Sequence, residues 1–262
     1  MSKIIAIANQ KGGVGKTTTA VNFCASLNHR EKRVLLVDCD PQGNATTGMG
    51  VQKGKARSIY DIMFREVAPE KAIISTKYGN LIPATGDLAA ANVELVELED
   101  REHTLRKYLE PLKKKYDYII IDCPPSLELL TINALSAADT VLIPVQTEFY
   151  ALEGLTDLTK TIKALRQRIN PTLDIEGLVL TMYDKRNNLS SEVEEALKKH
   201  FPGKVYETVI PRNVRLSEAP SHGKPCIGYD KSSKGTKAYL HMTNEFLKRQ
   251  KKEAKQEGKK NG

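Results

Sequence analysis

Two lysines five residues apart, set among glycines, are the first place where this chain could do chemistry. The stretch is Gln10-Lys11-Gly12-Gly13-Val14-Gly15-Lys16-Thr17-Thr18. Glycine reaches backbone dihedrals that other residues resist, so successive N–H groups can be turned toward one anion. The apolar run Ile4-Ile5-Ala6-Ile7-Ala8 in front of it reads as a buried strand, and residues 19–27 behind it read as a helix. A helix N-terminus adds partial positive charge to such a cradle. The ligand this predicts is a polyphosphate held by the N–H groups of residues 11–18. Lys16 then lies at the β- and γ-phosphates and the Thr17 hydroxyl at Mg²⁺. One feature departs from the usual G-x-x-x-x-G-K-[ST] string: Gln10 occupies the first glycine position, and Lys11 opens the loop.

Two further segments place carboxylates where such a loop needs them. Residues 33–38 read as a second buried strand, ending in Asp38-Cys39-Asp40-Pro41-Gln42-Gly43-Asn44. Residues 116–122 read as another, ending in Asp122 and followed by Cys123-Pro124-Pro125-Ser126. In open α/β sheets ligands bind beyond the carboxyl ends of the strands. Asp122, delivered by a dry strand, is expected to hold Mg²⁺ through water. Asp38 is a second candidate for the metal, and Asp40 for positioning an attacking water. Gly43 and Asn44 both tolerate turn geometry, which predicts a mobile loop.

The elements that must carry these residues alternate. Strands are expected at 79–84, 140–145, 175–182 and 205–210, the last running into Pro211-Arg212-Asn213. Helices are expected at 57–64, 88–109, 152–169, from Ser190 as N-cap through 199, and at 235–248 with Tyr239, Met242 and Phe246 on one face. Strand–helix alternation predicts a doubly wound, mostly parallel sheet with helices on both faces, formed by a single domain over 1–247. Right-handed crossovers bring the loops to one edge. The acids of residues 94–102 suit either a solvated face or a surface for a basic partner.

The chain has 262 residues and a net charge of +8, of which residues 248–262 supply +5 through seven Lys/Arg against two Glu. That segment reads as a basic, flexible tail, either a solvated end or an attraction for an acidic partner. No run of about 18 apolar residues is present, so no spanning helix is expected. With a core strand expected at the very start, no secretory signal is expected. Four cysteines without C-x-x-C spacing and five scattered histidines argue against a disulfide framework or a zinc site.

With these residues in view, the chain resembles the ParA/MinD family of P-loop ATPases with a deviant Walker A motif. The resemblance is carried by K-G-G-V-G-K-T-T-T, D-x-D-P-Q-x-N, I-I-I-D-x-P-P and I-P-R-N-V-R-L-S-E-A-P-S-H-G-K-P. It covers nearly the whole chain and is nearest to the small chromosomal ParA (Soj-type) members. It implies a slow ATPase with ATP and Mg²⁺ as cofactors, and contact of Pro211 and Asn213 with adenine. It implies an ATP-state homodimer in which Lys11 reaches the partner's nucleotide. It also implies non-specific binding to double-stranded DNA, release on hydrolysis stimulated by a ParB-like partner, and a cytoplasmic, nucleoid-associated protein. By the same resemblance Arg186 and Arg215 are candidate DNA contacts, and Lys185, Lys231 and Lys234 could extend the patch.

Three rival readings stand beside this one. A MinD-like membrane ATPase needs an amphipathic C-terminal helix, whereas residues 250–262 offer Ala254 as their only aliphatic side chain. A reductase-type relative with an iron–sulfur cluster needs paired cysteines on a subunit face, which Cys39 and Cys123 do not offer. A DNA-binding protein with a merely structural nucleotide does not call for both Asp40 and Asp122.

Overall fold

The computed structural model of the chain describes residues 2–148 and 151–260. Seven strands form one sheet: β1 (Lys3–Ile7), β2 (Val34–Asp38), β3 (Ile74–Thr76), β4 (Gly79–Ile82), β5 (Tyr118–Asp122), β6 (Thr140–Gln146) and β7 (Asp174–Thr181). Their order is β3-β4-β2-β5-β1-β6-β7, and every pairing is parallel except β3 with β4. β1, β2 and β5 are continuous apolar runs because both faces of the sheet are covered. The register sets Ile7 and Asp38 opposite Asp122 on either side, so the carboxylates of β2 and β5 arrive at the same edge.

Alternate residues of each strand feed two cores. One face, with Ile4, Leu35, Val37, Ile119 and Ile121, packs against Leu105, Leu135, Leu158 and Leu197 from helices. The other, with Ile5, Ile7, Leu36 and Ile120, packs against the phosphate-loop helix Lys16–His29 and the closing helix Lys234–Lys260. Phe246 is the keystone of that second layer. Its ring meets Phe23 edge-on at 5.0 Å and Tyr118 at 5.2 Å, and its burial contributes about 2–3 kcal/mol. The expected shared face of Tyr239, Met242 and Phe246 is indeed the buried one.

The structure corrects several expected elements. Residues 205–210 do not form a strand. They meet β7 at isolated points, the Leu178–Val205 bridge and the Ile210 N–H donating to the Leu180 carbonyl, because between these the Glu207 and Thr208 N–H groups donate to the Glu245 carboxylate instead. This segment lies close on β7 only because residue 177 is glycine: a Cβ there would stand 2.5 Å from the Tyr206 ring. The expected helix 88–109 is broken into Gly86–Ala90, Ala91–Glu94, Leu95–Glu97 and Thr104–Leu109, since its leucines keep helical spacing over only part of the run. The helix after β7 is Asn188–His200, and Asn187 rather than Ser190 is its cap, accepting from the Leu189 N–H at 3.0 Å. Ser190 is buried against the Thr147 hydroxyl. The capping box of Ser58 with Asp61 starts Ile59–Phe64. The edge strand β3 and the helix Leu129–Ala137 have weak periodic signals and are additions to the expected set.

The closing helix also continues to Lys260, past the expected end at 248. Arg249 donates to the Val205 carbonyl and stacks 4.1 Å from the Tyr206 ring, while Gln250 bonds Lys3 and Glu176. Thus the segment expected as a flexible tail is helical as far as 260. Its last two residues, 261–262, lie outside the described residues.

Candidate active site

The loop between β1 and the helix Lys16–His29 is shaped by two glycines in the left-handed region, Gly13 at φ +76° and Gly15 at +89°. Gly15 is also the helix N-cap, so no side chain competes for the first turn's N–H groups. Two side chains outside the loop brace it. Thr181, the last residue of β7, donates to the Val14 carbonyl at 2.8 Å. Asn9 accepts from the Lys11 N–H and donates to the Pro144 carbonyl, tying the loop's entry to β6. Neither brace is legible in the sequence, because each depends on which strand ends are neighbours.

Inside the loop the Lys16 ammonium donates to the Lys11 carbonyl at 3.0 Å. Burial lowers its pKa, opposed by the pull of Asp122 and Asp40. Lys11 behaves differently. Its side chain is about one-third exposed and its Nζ lies 2.8 Å from Glu148 Oε1.

The two strand-end aspartates are not equivalent. Asp38 is fully engaged by the protein. Its Oδ2 accepts from both the N–H and the hydroxyl of Thr46 at 2.7 Å, and Oδ1 accepts from the Asp40 N–H at 3.2 Å. Thr46 in turn accepts from the Ala84 N–H, so Asp38 fastens residues 40–46 to the end of β4. Burial pushes the Asp38 carboxyl up to about 6. Asp122 is fully buried, and neither of its oxygens has a hydrogen-bond partner of normal geometry. Burial first, and then the nearby Asp38, drive its pKa well up, against a weaker opposing pull from the Thr17 hydroxyl. A buried carboxylate left bare costs several kcal/mol unless a cation or donor completes it. Thus the residues fit a bound Mg²⁺, with Asp122 the stronger candidate ligand and Asp38 a structural clasp. Among the described residues no cluster of three His, Cys, Asp or Glu side chains could hold a metal alone. Mg²⁺ characteristically makes do with one or two carboxylates, waters and substrate phosphates. Asp40 is nearly buried and its Oδ1 accepts from the Gln42 N–H at 2.9 Å, at the mouth of the same edge.

Beside the loop lies a cavity of about 330 Å³ lined by Gly15, Thr18, Met182, Pro211, Asn213 and Leu216, among others. Pro211 and Asn213 therefore stand where the loop's ligand would extend. The Asn213 Oδ1 is buried and unpaired. Met182 holds a left-handed φ of +51°, rare for a side-chain-bearing residue, at the exit of β7 into this cavity. The pocket's floor is fixed by the Tyr239 hydroxyl, 3.0 Å from Thr19 Oγ1.

The basic residues expected at DNA are on the surface but not free. Arg186 clasps Asp184 with two nitrogens, at 3.0 and 2.8 Å. Arg215 pairs with Glu218 at 2.8 Å and Asp230 at 3.4 Å. The bridge from Tyr183 to Pro211 brings the Arg186 and Arg215 loops together, with exposed Arg212 between them, a residue the sequence pattern did not single out. Lys185, Lys231 and Lys234 are exposed. All four cysteines are buried and unpaired, and burial raises the thiols of Cys24, Cys39 and Cys123.

Comparison with known proteins agrees with this geometry. Residues 2–175 match the family model described as an AAA domain. The chain is 57% identical to the sporulation initiation inhibitor protein Soj of Bacillus subtilis, covering 94% of this chain and 98% of that protein. It is 52% identical to the chromosome partitioning protein ParA of Myxococcus xanthus, covering 95% and 89%. Among solved structures it superposes with a TM-score of 0.85 on cobyrinic acid a,c-diamide synthase of Mycobacterium smegmatis with bound ADP and magnesium. That match is 36% identical and covers 96% of each chain.

Proposed function

From the premise that this chain belongs to the ParA/Soj family of partitioning ATPases, and uses ATP with Mg²⁺, we propose that it is an ATP-gated DNA clamp that moves chromosome or plasmid DNA. The observation that carries this reading is the division of labour between the two loop lysines. Lys16 already fills the cradle, whereas Lys11 points out to an acid on the surface and is available to act on another subunit.

In this reading the N–H groups of residues 12–18 bind the phosphates, and Lys16 exchanges the Lys11 carbonyl for a phosphate oxygen. Pro211 and Asn213 hold the base in the cavity beside Gly15. Thr17 and Asp122 hold Mg²⁺, which when bound neutralises and orients the terminal phosphates. Asp40 orients the attacking water, with its carboxylate held by the Gln42 N–H. Lys11 leaves Glu148 and reaches the nucleotide of a second copy, which makes dimerisation depend on ATP. The dimer doubles the basic surface around Arg186, Arg212 and Arg215, with Lys185, Lys231 and Lys234 at its margin. Non-specific affinity for DNA rises steeply with the number of phosphates neutralised. Hydrolysis, accelerated by a ParB-like protein, returns the monomer, so the protein works in the cytoplasm on the nucleoid. The membrane-anchored alternative is less well supported, since residues 251–256 are exposed and, Ala254 apart, polar along the closing helix.

The decisive test is DNA binding by Asp40→Ala with ATP, with ADP and without nucleotide, over a salt series. Tight, sequence-independent binding with ATP only, weakening as salt rises, is the expected result. Binding indifferent to nucleotide would leave only a basic surface.

A further inference from the structure

Beside the loop that carries Asp40 lies a second cavity, of about 730 Å³, which none of the nucleotide-site residues lines. Its wall is made by residues 53–57, the helix Ile59–Phe64 with Arg65 at its end, and residues 85–87 after β4. Four cations, Lys53, Lys55, Arg57 and Arg65, line it, against two carboxylates, Asp61 and Asp87. A concave wall with an excess of one charge focuses its field and gathers counter-ions.

Asp61 arranges the two arginines. Its Oδ2 accepts from the Ser58 N–H at 2.8 Å and from the Ser58 hydroxyl at 3.0 Å, so the capping box fixes the carboxylate. Its Oδ1 lies 3.0 Å from Arg65 Nη1 and 3.6 Å from Arg57 Nη1, which sets two guanidiniums on one oxygen. Asp87 takes the Arg65 Nη2 at 3.6 Å. A guanidinium has five N–H donors, and these pairs engage one nitrogen of Arg57 and two of Arg65. The donors left over suit phosphate oxygens, which an arginine fork meets with parallel bonds. Among the described residues of the wall none is aromatic, and Ala56 is the only aliphatic side chain. The cavity therefore has no platform for a base, and what it can hold is a phosphate chain.

Lys53 ties this cavity to the nucleotide edge. Its ammonium donates to the Gln42 carbonyl. Its stem lies on Gly43, where a Cβ would stand 2.9 Å from Lys53 Cε. The Gln42 N–H in turn donates to the Asp40 carboxylate at 2.9 Å. Gln42 thus has a cation of the cavity on its carbonyl and the candidate water-orienting carboxylate on its N–H. A neutral carbonyl is a weaker partner for an ammonium than a phosphate oxygen is.

We propose that this cavity binds a short oligophosphate, of the size of pyrophosphate or triphosphate, through Lys55, Arg57 and Arg65, and that the bound anion draws Lys53 off Gln42 and loosens the hold on Asp40. The binding half stands on the cavity alone. The coupling half, in which Lys53 is a positioning residue, rests on the ATPase reading.

Binding is read by isothermal titration of sodium tripolyphosphate, without Mg²⁺ or nucleotide, into the full chain carrying Lys16→Ala to silence the phosphate loop. A single site is expected, and adding Lys55→Ala with Arg57→Ala weakens it by about tenfold through the loss of charge-assisted bonds. No binding to the Lys16→Ala chain, or equal affinity after the added pair, overturns the site. If the added pair weakens a random DNA duplex as much as it weakens tripolyphosphate, the cavity belongs to a DNA surface and the small-anion site is overturned. Coupling is read as kcat of the parent at saturating ATP with free Mg²⁺ held constant, so that competition at the phosphate loop and chelation of the metal do not enter. Tripolyphosphate is expected to lower kcat about threefold by misplacing Asp40. Lys53→Met keeps the stem and removes the ammonium. It is expected to begin near the lowered kcat, with KM for ATP unchanged, and to ignore the anion. A parent kcat that ignores saturating tripolyphosphate, or a Lys53→Met chain that responds as the parent does, overturns the coupling while the site stands. A parent without ATP turnover removes the ATPase reading and the coupling together.

Discussion

The Nζ of Lys11 rests 2.8 Å from Oε1 of Glu148 on its own chain. The residue that distinguishes this loop from the common phosphate loop is thus held, in the single subunit, by an acid that the proposed dimer would have to displace. Both side chains are about one-third exposed, so the pair is solvent-screened and contributes at most about 1 kcal/mol. Glu148→Gln is therefore expected to lower the concentration at which the ATP dimer forms by about fivefold. Lys11→Ala should bind ATP yet remain monomeric. Size exclusion with light scattering, in an Asp40→Ala background that slows turnover, reads both. An ATP-dependent dimer of the Lys11 variant would remove that residue from the interface.

Asp122 is fully buried, and neither of its carboxylate oxygens has a hydrogen-bond partner of normal geometry. Asp122→Asn keeps the shape and removes the charge. Without nucleotide the variant is expected to melt a few degrees higher than the parent. Adding Mg·ATP should raise the parent's Tm and leave the variant's nearly unmoved, since ligand stabilisation scales with affinity. A differential scanning series with and without Mg²⁺ decides it, and equal gains in both proteins would take Asp122 out of the metal site.

Thr46→Val removes a hydroxyl that serves two partners, Asp38 at 2.7 Å and the Ala84 N–H at 3.0 Å. Hydrogen bonds to buried charge contribute more than neutral ones, and the expected loss is about 2–3 kcal/mol. Urea unfolding should show a lower midpoint with the same slope. Because this clasp holds residues 40–46, ATP turnover should fall as well, although Thr46 touches no phosphate in the proposed arrangement.

Arg215→Glu is expected to weaken DNA binding without disturbing the ATP dimer. The salt slope should become shallower by about one unit for each phosphate that is no longer neutralised. The starting state matters here. Arg215 is paired with Glu218 and Asp230, so Glu218→Gln should strengthen binding modestly by releasing it. Fluorescence titrations against random duplexes at several salt concentrations test both, and an unchanged slope in Arg215→Glu would exclude it from the DNA surface.

What could be read from the chain was what lies close together along it. Residues 10–18, the strand ending at Asp38 and the strand ending at Asp122 each combine a local pattern with a local chemistry. Their convergence follows from parallel strand order. What escaped depends on distant partners. Asp38 and Asp122 look alike in sequence, and only the fold shows that Thr46 satisfies one while the other is left bare. Ser190 is as good a cap as Asn187 by residue type, but Thr147 claims its hydroxyl. Residues 205–210 have the composition of a strand, and two of their N–H groups go to Glu245, a residue far along the chain. The bracing threonine at 181 carries no signal of its own.

The two margins of the sheet bear on a different matter, the behaviour of many copies at high local concentration. One margin is β3, three residues long and antiparallel to its neighbour. The other is β7, whose outer side is occupied by residues 204–210 through the Leu178 and Leu180 main chain. A long, bare strand edge would recruit the next copy by simple strand addition. With one margin short and the other already taken, crowding gives this protein no template for amyloid-like stacking. Any filament it makes must be assembled through side-chain surfaces rather than by strand addition.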